Sequence, residues 1–233
     1  MVRYLIKTFC NFTGIPRYWV RESVAEFRML YVRVYGILSW QRLKIKKLVQ
    51  SNEDLKLLFG CGDTAYDGWV GVDCFFAKNV QIVMDLRRSI PLPDNSVSFC
   101  FSEHFISMIH PNEGFDHLQD VYRILQPGGV YRVVVPDAIN FARNYIDGNH
   151  AFFKKAFPWV THPIDAVYCV MNWGGSNRNI LDFKAIERIG LDAGFNSVLV
   201  SSAGNSEYPE LRIDITTPQR IAESLYVELT KSK

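Results

Sequence analysis

The sequence predicts an α/β fold: a mostly parallel β-sheet with helices on both faces, preceded by a long N-terminal helix. Three observations predict it. From residue 55 onward, short apolar and β-branched runs alternate with segments of helical periodicity, the pattern of strand–helix units around a parallel sheet. Glycines and acids fall where those apolar runs end, at the edge where open α/β sheets bind ligands. The chain has 233 residues, 48% of them apolar, enough for one full core and an appendage.

The first element is the N-terminal helix, expected as one piece over residues 18–49. The segment contains Gly36, a candidate bend, but no proline. Val20, Val24, Phe27, Tyr31, Val34, Leu38, Ile45 and Leu48 recur in steps of three and four, with Gln41 as the polar interruption. Such a stripe predicts a buried face. Three uses fit it: a cover helix on the main domain, a helix docking on a membrane surface or partner, or a dimer seam. Residues 1–50 hold ten Lys/Arg against Glu22 and Glu26, a balance of +8, whereas the remainder balances to −6. The basic charge thus belongs to one segment and predicts docking rather than catalysis. We read residues 1–50 as a basic helical extension and 51–233 as the catalytic domain.

The strands follow in order. Leu55–Phe59, Trp69–Val72 and Gln81–Met84 are short apolar runs, Ser96–Ser102 alternates, and Val130–Val135 is strongly β-branched. His117–Leu125 reads as a helix closed by Pro127-Gly128-Gly129, and Phe183–Ala193 as another stopped at Gly194. Strands near Ser197–Ser201 and Leu225–Leu229 end the domain. Residues 138–182 read as an inserted lid on the acceptor side. Its Phe152, Phe153, Phe157, Trp159, Tyr168 and Trp173 stand among Lys154, Lys155, His162, Asn172, Asn177 and Arg178. That mixture suits a polar ring such as a sugar, and equally an ordinary helical lid.

The chemistry concentrates at the strand ends. Gly60-Cys61-Gly62 closes the first strand, where the absence of a Cβ lets backbone approach a ligand. Asp73 ends the second strand, where a carboxylate accepts hydrogen bonds from both hydroxyls of a ribose. Asp85 ends the third and faces the expected position of an adenine. A nicotinamide dinucleotide fold would need a third glycine and an acid about 20 residues on. Here Asp63-Thr64 follow Gly62, and ten residues separate Gly62 from Asp73. The short spacing also leaves no room for a full first helix and predicts a turn there.

These motifs form an ordered series: Leu57-Leu58-Phe59-Gly60-Cys61-Gly62, Gly68-Trp69-Val70-Gly71-Val72-Asp73, Met84-Asp85-Leu86, Ile90-Pro91-Leu92-Pro93-Asp94-Asn95-Ser96-Val97, Phe101-Ser102-Glu103-His104, Arg123-Ile124-Leu125-Gln126-Pro127-Gly128-Gly129 and Val133-Val134-Val135-Pro136-Asp137. The series resembles class I S-adenosylmethionine-dependent methyltransferases, in particular predicted bacterial members associated with glycan biosynthesis. The resemblance implies a Rossmann-like seven-stranded sheet with one antiparallel strand near its end. It implies S-adenosylmethionine as cofactor, with Gly60, Cys61 and Gly62 lining its methionine and ribose portion through backbone groups. Asp73 would hold the ribose hydroxyls, Cys74 or Phe75 would pack on the adenine, and Asp85 and Leu86 would read the adenine edge. Ser102 and Glu103 would lie under the methionine end. Leu58 stands where the family's glycine motif carries an acid or amide, and Ser107-Met108-Ile109-His110 keeps only part of a recurring Glu-His segment.

The implied activity is methyl transfer to a small molecule or glycan at a hydroxyl oxygen, which benefits from a general base. His104 and Asp137, following the fourth and fifth strands, are the candidates, with His110 and His162 in loops able to cover the site. The competing reading is a non-catalytic relative that binds the cofactor, or nothing, and serves as a partner subunit. Cys10, Cys61, Cys74, Cys100 and Cys169 lack CxxC spacing, so no metal site is expected. Scattered free cysteines, the lack of a signal-peptide pattern and the lack of a long apolar run place the protein in the cytoplasm, at the membrane periphery if the basic helix docks there. No basic stripe along a groove points to nucleic acid.

Overall fold

The computed structural model describes residues 2–38, 40–51 and 54–233. Residue 39, inside the single helix expected over 18–49, lies outside the described residues, as do 1, 52 and 53 at the edges of the expected extension and domain. Three helices, α1 (Val2–Thr13), α2 (Arg17–Leu38) and α3 (Gln41–Ser51), lead into a seven-stranded sheet. Its strands are β1 (Lys56–Phe59), β2 (Val70–Asp73), β3 (Val80–Val83), β4 (Val97–Glu103), β5 (Leu125–Pro136), β6 (Ser197–Ser201) and β7 (Ser224–Thr230). They lie in the order β3-β2-β1-β4-β5-β7-β6. Neighbours from β3 to β5 pair in parallel, and β7 runs antiparallel to both β5 and β6, as the sequence implied. Register aligns Phe59 with Val72 on one side and Ser102 on the other, so the ends of β1, β2 and β4 meet at one edge.

Alternation along the strands divides the core into two faces. Leu57, Phe59, Tyr131, Val133 and Val227 point to one. Ile45 of α3 covers it, together with Leu118, Val121 and Ile124 of α4 (Pro111–Ile124) and Ile186 of α8 (Phe183–Asp192). Leu58, Phe101, Val130, Val134 and Tyr226 point to the other. Val32 and Tyr35 of α2 cover it, with the loop bearing Tyr66 and Trp69 and the irregular segment bearing Tyr208 and Leu211. A fully buried Arg132 pins that segment. Its guanidinium binds both oxygens of Asp214 (2.9 and 2.7 Å), Glu228 (2.6 Å) and the carbonyls of Ser202 and Asn205. The five N–H donors of Arg are thereby engaged, which makes a buried guanidinium tolerable.

The β1–β2 connection is a succession of turns, as the short spacing predicted. α4 begins six residues before its expected start, with His110 at its N-cap, Pro111 at N1 and the Glu113 carboxylate accepting the His110 N–H (3.1 Å). Pro127-Gly128-Gly129 does not close that helix. The backbone turns extended at Leu125, and the three residues lie within β5. Gly129 has to be small there, since a Cβ would meet the Gln126 and Ser98 carbonyl oxygens at about 3 Å.

The N-terminal segment departs furthest from expectation. It is two helices, α2 and α3, rather than one. The apolar stripe is also not uniformly buried. Val24, Phe27, Tyr31, Val34 and Leu38 are exposed, Phe27 at 71% and Leu38 at 79%, whereas Val32, one step round the helix, is 1% exposed. The face of α2 that meets the domain carries Glu22, Ala25, Met29, Val32 and Arg33. Beyond the break the stripe turns inward, with Ile45 buried and Leu48 packed beside it. Gln41 marks this switch: its amide donates to the Val83 carbonyl (2.7 Å) and accepts the Val83 N–H (2.8 Å), pairing with the free edge of β3 as a strand would.

The inserted segment forms α5 (Ala138–Ile146), α6 (His150–Ala156) and α7 (Pro163–Asn172), while α9 (Pro218–Glu223) precedes β7. Phe141, Phe153, Phe157, Val167 and Val170 make a separate small core.

Candidate active site at the strand ends

A cavity of about 560 Å³ opens at the carboxyl ends of β1, β2 and β4, within the usual range for small-ligand sites. Gly60, Gly62, Asp73, Cys74, Phe75, Asp85, Leu86 and Glu103 line it, eight of the ten residues expected to hold cofactor. Of the other two, Cys61 lines the adjoining hollow beyond Gly60 and Ser102 lines neither. The Cys61 side chain packs into the second face of the core, and Ser102 is fully buried, hydrogen bonded to the Tyr131 hydroxyl (2.8 Å).

The glycine loop is built around Asp73. One carboxylate oxygen accepts the Gly62 N–H (2.8 Å), the other the Cys74 N–H (2.6 Å), which fixes the acid at the end of β2. Gly60 and Gly62 both have positive φ. A Cβ at Gly60 would lie 2.9 Å from Phe105 Cβ, while a Cβ at Gly62 would meet nothing within 4 Å. The first glycine is thus needed for close packing, and the second for its backbone conformation. Burial and the neighbouring Asp73 push the Cys61 thiol up to about 11 and the Cys74 thiol up to about 12, so neither is a nucleophile near neutral pH.

Asp85 reaches the cavity but is already bound. Arg33 donates to one oxygen from Nε (2.9 Å) and Nη2 (2.6 Å), and Arg87 binds both oxygens through side chain and backbone. These arginines hold its carboxyl below the usual range against the opposing effect of burial. Arg87 also binds Glu26 (2.7 Å), Arg178 binds Glu22, and Arg21 donates to the carbonyls of Gly174 (2.8 Å) and Gly175 (3.2 Å). The inner face of α2 therefore forms a wall of the cavity, through Arg21, Glu22, Ala25, Glu26, Arg28 and Met29. The basic segment is not reserved for docking: its Arg21, Arg28 and Arg33 point toward the cavity, Arg28 lying over the Phe75 ring. A signal existed in the sequence. Glu22 and Glu26, the segment's two acids, share with Arg33 the helix face away from the apolar stripe.

The fourth strand ends in Glu103 and His104. Glu103 Oε1 lies 2.7 Å from Arg220 Nε but accepts no well-formed hydrogen bond, and burial raises this carboxyl. His104 has a left-handed backbone and lines the cavity, with both ring nitrogens engaged. Arg220 donates to Nδ1 (3.0 Å), which leaves the proton on Nε2, toward Ser224 Oγ (2.9 Å). Burial, with Arg220 adding to it, lowers this imidazole to about 3. Asp137 does not line the cavity. It caps α5, accepting the Asn140 N–H (2.9 Å). A smaller hollow of about 100 Å³ lies beyond Gly60, lined by Thr64, Tyr66, Glu103 and Arg220.

A polar groove of about 510 Å³ continues from the cavity, the two sharing Arg21, Gly175 and Arg178. Tyr18, His110, Tyr168, Asn172 and Asn177 complete it. Residues 138–182 supply Tyr168, Asn172, Asn177 and Arg178 to this groove, but Phe153 and Phe157 belong to the separate small core, with Phe152 packed against them, and His162 stands at the N-cap position of α7 without a side-chain capping bond.

This sheet order, with a glycine loop and an acid at its first two strand ends, is a Rossmann-like methyltransferase fold. Residues 72–133 match the family described as methyltransferase domain. No curated protein matches the chain. An S-adenosylmethionine-dependent methyltransferase from Thermotoga maritima is 17% identical over 87% of this chain and 94% of its own, with TM-score 0.47. Another, from Methanosarcina mazei, is 14% identical over 78% and 94%, with TM-score 0.43. The phosphoethanolamine N-methyltransferase 2 of Haemonchus contortus, in complex with S-adenosylhomocysteine, is 13% identical over 87% and 57%, with TM-score 0.44. No helix among the described residues is long and apolar enough to cross a membrane.

Proposed function

We propose that the protein transfers a methyl group to a hydroxyl oxygen of a small polar acceptor, such as a sugar unit of a glycan. The observation that carries this reading is the groove continuous with the cofactor cavity, its walls made of amides, tyrosines, arginines and a histidine. Such walls suit a ring bearing several hydroxyls.

S-adenosylmethionine supplies an activated methyl group on a sulfonium, so the protein's share is alignment and proton removal. Asp73 would hold the ribose hydroxyls through the lone pairs left by Gly62 and Cys74. Phe75, Met84 and Leu86 would pack on the adenine. The arginine-saturated Asp85 would brace that wall rather than read the base. Glu103, with an oxygen lacking a donor, fits an ammonium, and Arg220 and Thr64 fit a carboxylate. His104 would position Arg220 through its Nδ1. Of the histidines, His110 lines the groove and is the better candidate to take a proton from the acceptor. We further propose that the N-terminal helices dock the enzyme on a membrane surface or a protein partner and that it works in the cytoplasm.

Calorimetric titration with S-adenosylmethionine and S-adenosylhomocysteine tests the cofactor site, with micromolar binding expected. Methyl transfer from labelled cofactor to a panel of glycans and hydroxylated small molecules tests the chemistry. Binding without transfer to any acceptor would favour the non-catalytic partner-subunit reading, with which the engaged Asp85 and His104 also agree.

A further inference from the structure

Among the described residues, most of the outward face of α2 is left uncovered, with Tyr31 alone set beside the Phe76 ring. Phe27, Leu30, Tyr31, Val34, Ile37 and Leu38 are all exposed, along a helix of 22 residues that spans about 33 Å. Apolar exposure continues at both ends, with Phe12 at 89% and Trp40 at 82%. Scattered apolar residues on a surface are ordinary, but a contiguous stripe of this length marks an interaction site.

Charge selects the occupant. The two acids of this segment are both paired, Glu22 with Arg178 and the exposed Glu26 with Arg87. Arg17, Arg42, Lys44, Lys46 and Lys47 are exposed, so the outward charge is cationic. At the break between α2 and α3, a groove of about 520 Å³ joins Tyr35, Trp40 and Phe76 to Lys44 and Lys78. Aromatic walls beside ammonium groups match an acyl chain and its anionic headgroup, as Trp and Tyr do at bilayer interfaces. A second copy of the chain would bring this cationic rim against itself, which opposes a two-fold dimer.

We infer that the outward face of α2, with the basic face of α3, binds an anionic lipid bilayer, lying in its interface and not crossing it. This specifies the docking surface proposed above and is independent of methyl transfer.

Flotation of the full chain with phosphatidylcholine vesicles, with and without about a third phosphatidylglycerol, tests it. Binding to the anionic vesicles is expected to exceed that to neutral ones by roughly tenfold or more and to fall with salt. Phe27→Glu/Leu38→Glu and, separately, Lys44→Glu/Lys46→Glu/Lys47→Glu should each lose roughly tenfold in binding while keeping cofactor affinity, which reports the fold. Equal flotation with both vesicle types, or flotation unchanged in both variants, would overturn the inference. So would failure to float together with a dimer by light scattering that Phe27→Glu/Leu38→Glu dissociates. A chain that floats but binds no cofactor would count against the proposed enzyme alone.

Discussion

Asp73 shows how one side chain can organise a site. Its carboxylate accepts two backbone N–H groups, from Gly62 and Cys74, so loop shape and the proposed ribose contact rest on one residue. Asp73→Ala removes an ionised acceptor from both, and each such bond contributes about 1.5–3 kcal/mol. We expect S-adenosylmethionine affinity to fall by at least about tenfold, measured by calorimetry. This part of the site was legible in the sequence because glycine loop and acid lie within a few residues of each other and follow strand ends. Arg220 was not, since it reaches Glu103 and His104 from an element more than a hundred residues away. His117 was read as one position of a helix, yet it is buried among Phe59, Phe105 and Tyr131, with Nδ1 against the Leu86 carbonyl (3.2 Å). Burial lowers it to about 4. An unfolded chain takes up a proton near pH 6.5, where the folded protein does not, so stability is full above that pH and declines as pH falls toward 4. The expected loss at the lower limit is on the order of 3 kcal/mol. Urea unfolding of His117→Gln across that range should show a weaker pH dependence, and an unchanged slope would remove His117 from this role.

Among the elements, strands and their order were legible because apolar runs of this kind have few alternatives. The helix boundaries were less so. α4 begins at a capping arrangement around His110 that an apolar pattern does not reveal, and β5 absorbs a Pro-Gly-Gly sequence that ordinarily ends helices. α2 was misread for a different reason. Periodicity finds an apolar face but not its orientation, and here ion pairs to Asp85, Arg87 and Arg178 turn the charged face inward. Gln41, an apparent flaw in the stripe, is the residue that seals the β3 edge. Gln41→Ala should leave the Val83 N–H and carbonyl short of partners and destabilise the fold by about 1–3 kcal/mol in denaturant unfolding, with Gln41→Glu intermediate. Gly60→Ala combines a positive φ with a collision against Phe105, and a loss of about 1–3 kcal/mol is expected in the same measurement.

At the scale of the molecule, α2 belongs to two surfaces at once. Its inner face lines the proposed cofactor cavity, and its outer face is the inferred bilayer contact. The proposed division at residue 50 therefore does not separate docking from catalysis. A chain lacking residues 1–51 would lose Val32 and Ile45 from the core and the wall of the cavity, and should fail to bind cofactor even if it remains folded by circular dichroism. The stronger consequence is linkage. If a bilayer holds α2 in the position that binds Glu22 to Arg178 and Arg33 to Asp85, it favours the closed cavity, and the cofactor must in turn favour the bilayer-bound state by the same factor. Couplings between sites typically amount to about 5–150-fold. We therefore expect S-adenosylhomocysteine affinity, measured by calorimetry, to rise about fivefold or more in the presence of anionic vesicles, and flotation to strengthen equally with saturating S-adenosylhomocysteine. Arg33→Ala should reduce both effects together, because it loosens the helix from the cavity while leaving its outward face intact. Vesicle binding with no change in affinity would mean that α2 is held shut without the membrane, so that its two faces act independently.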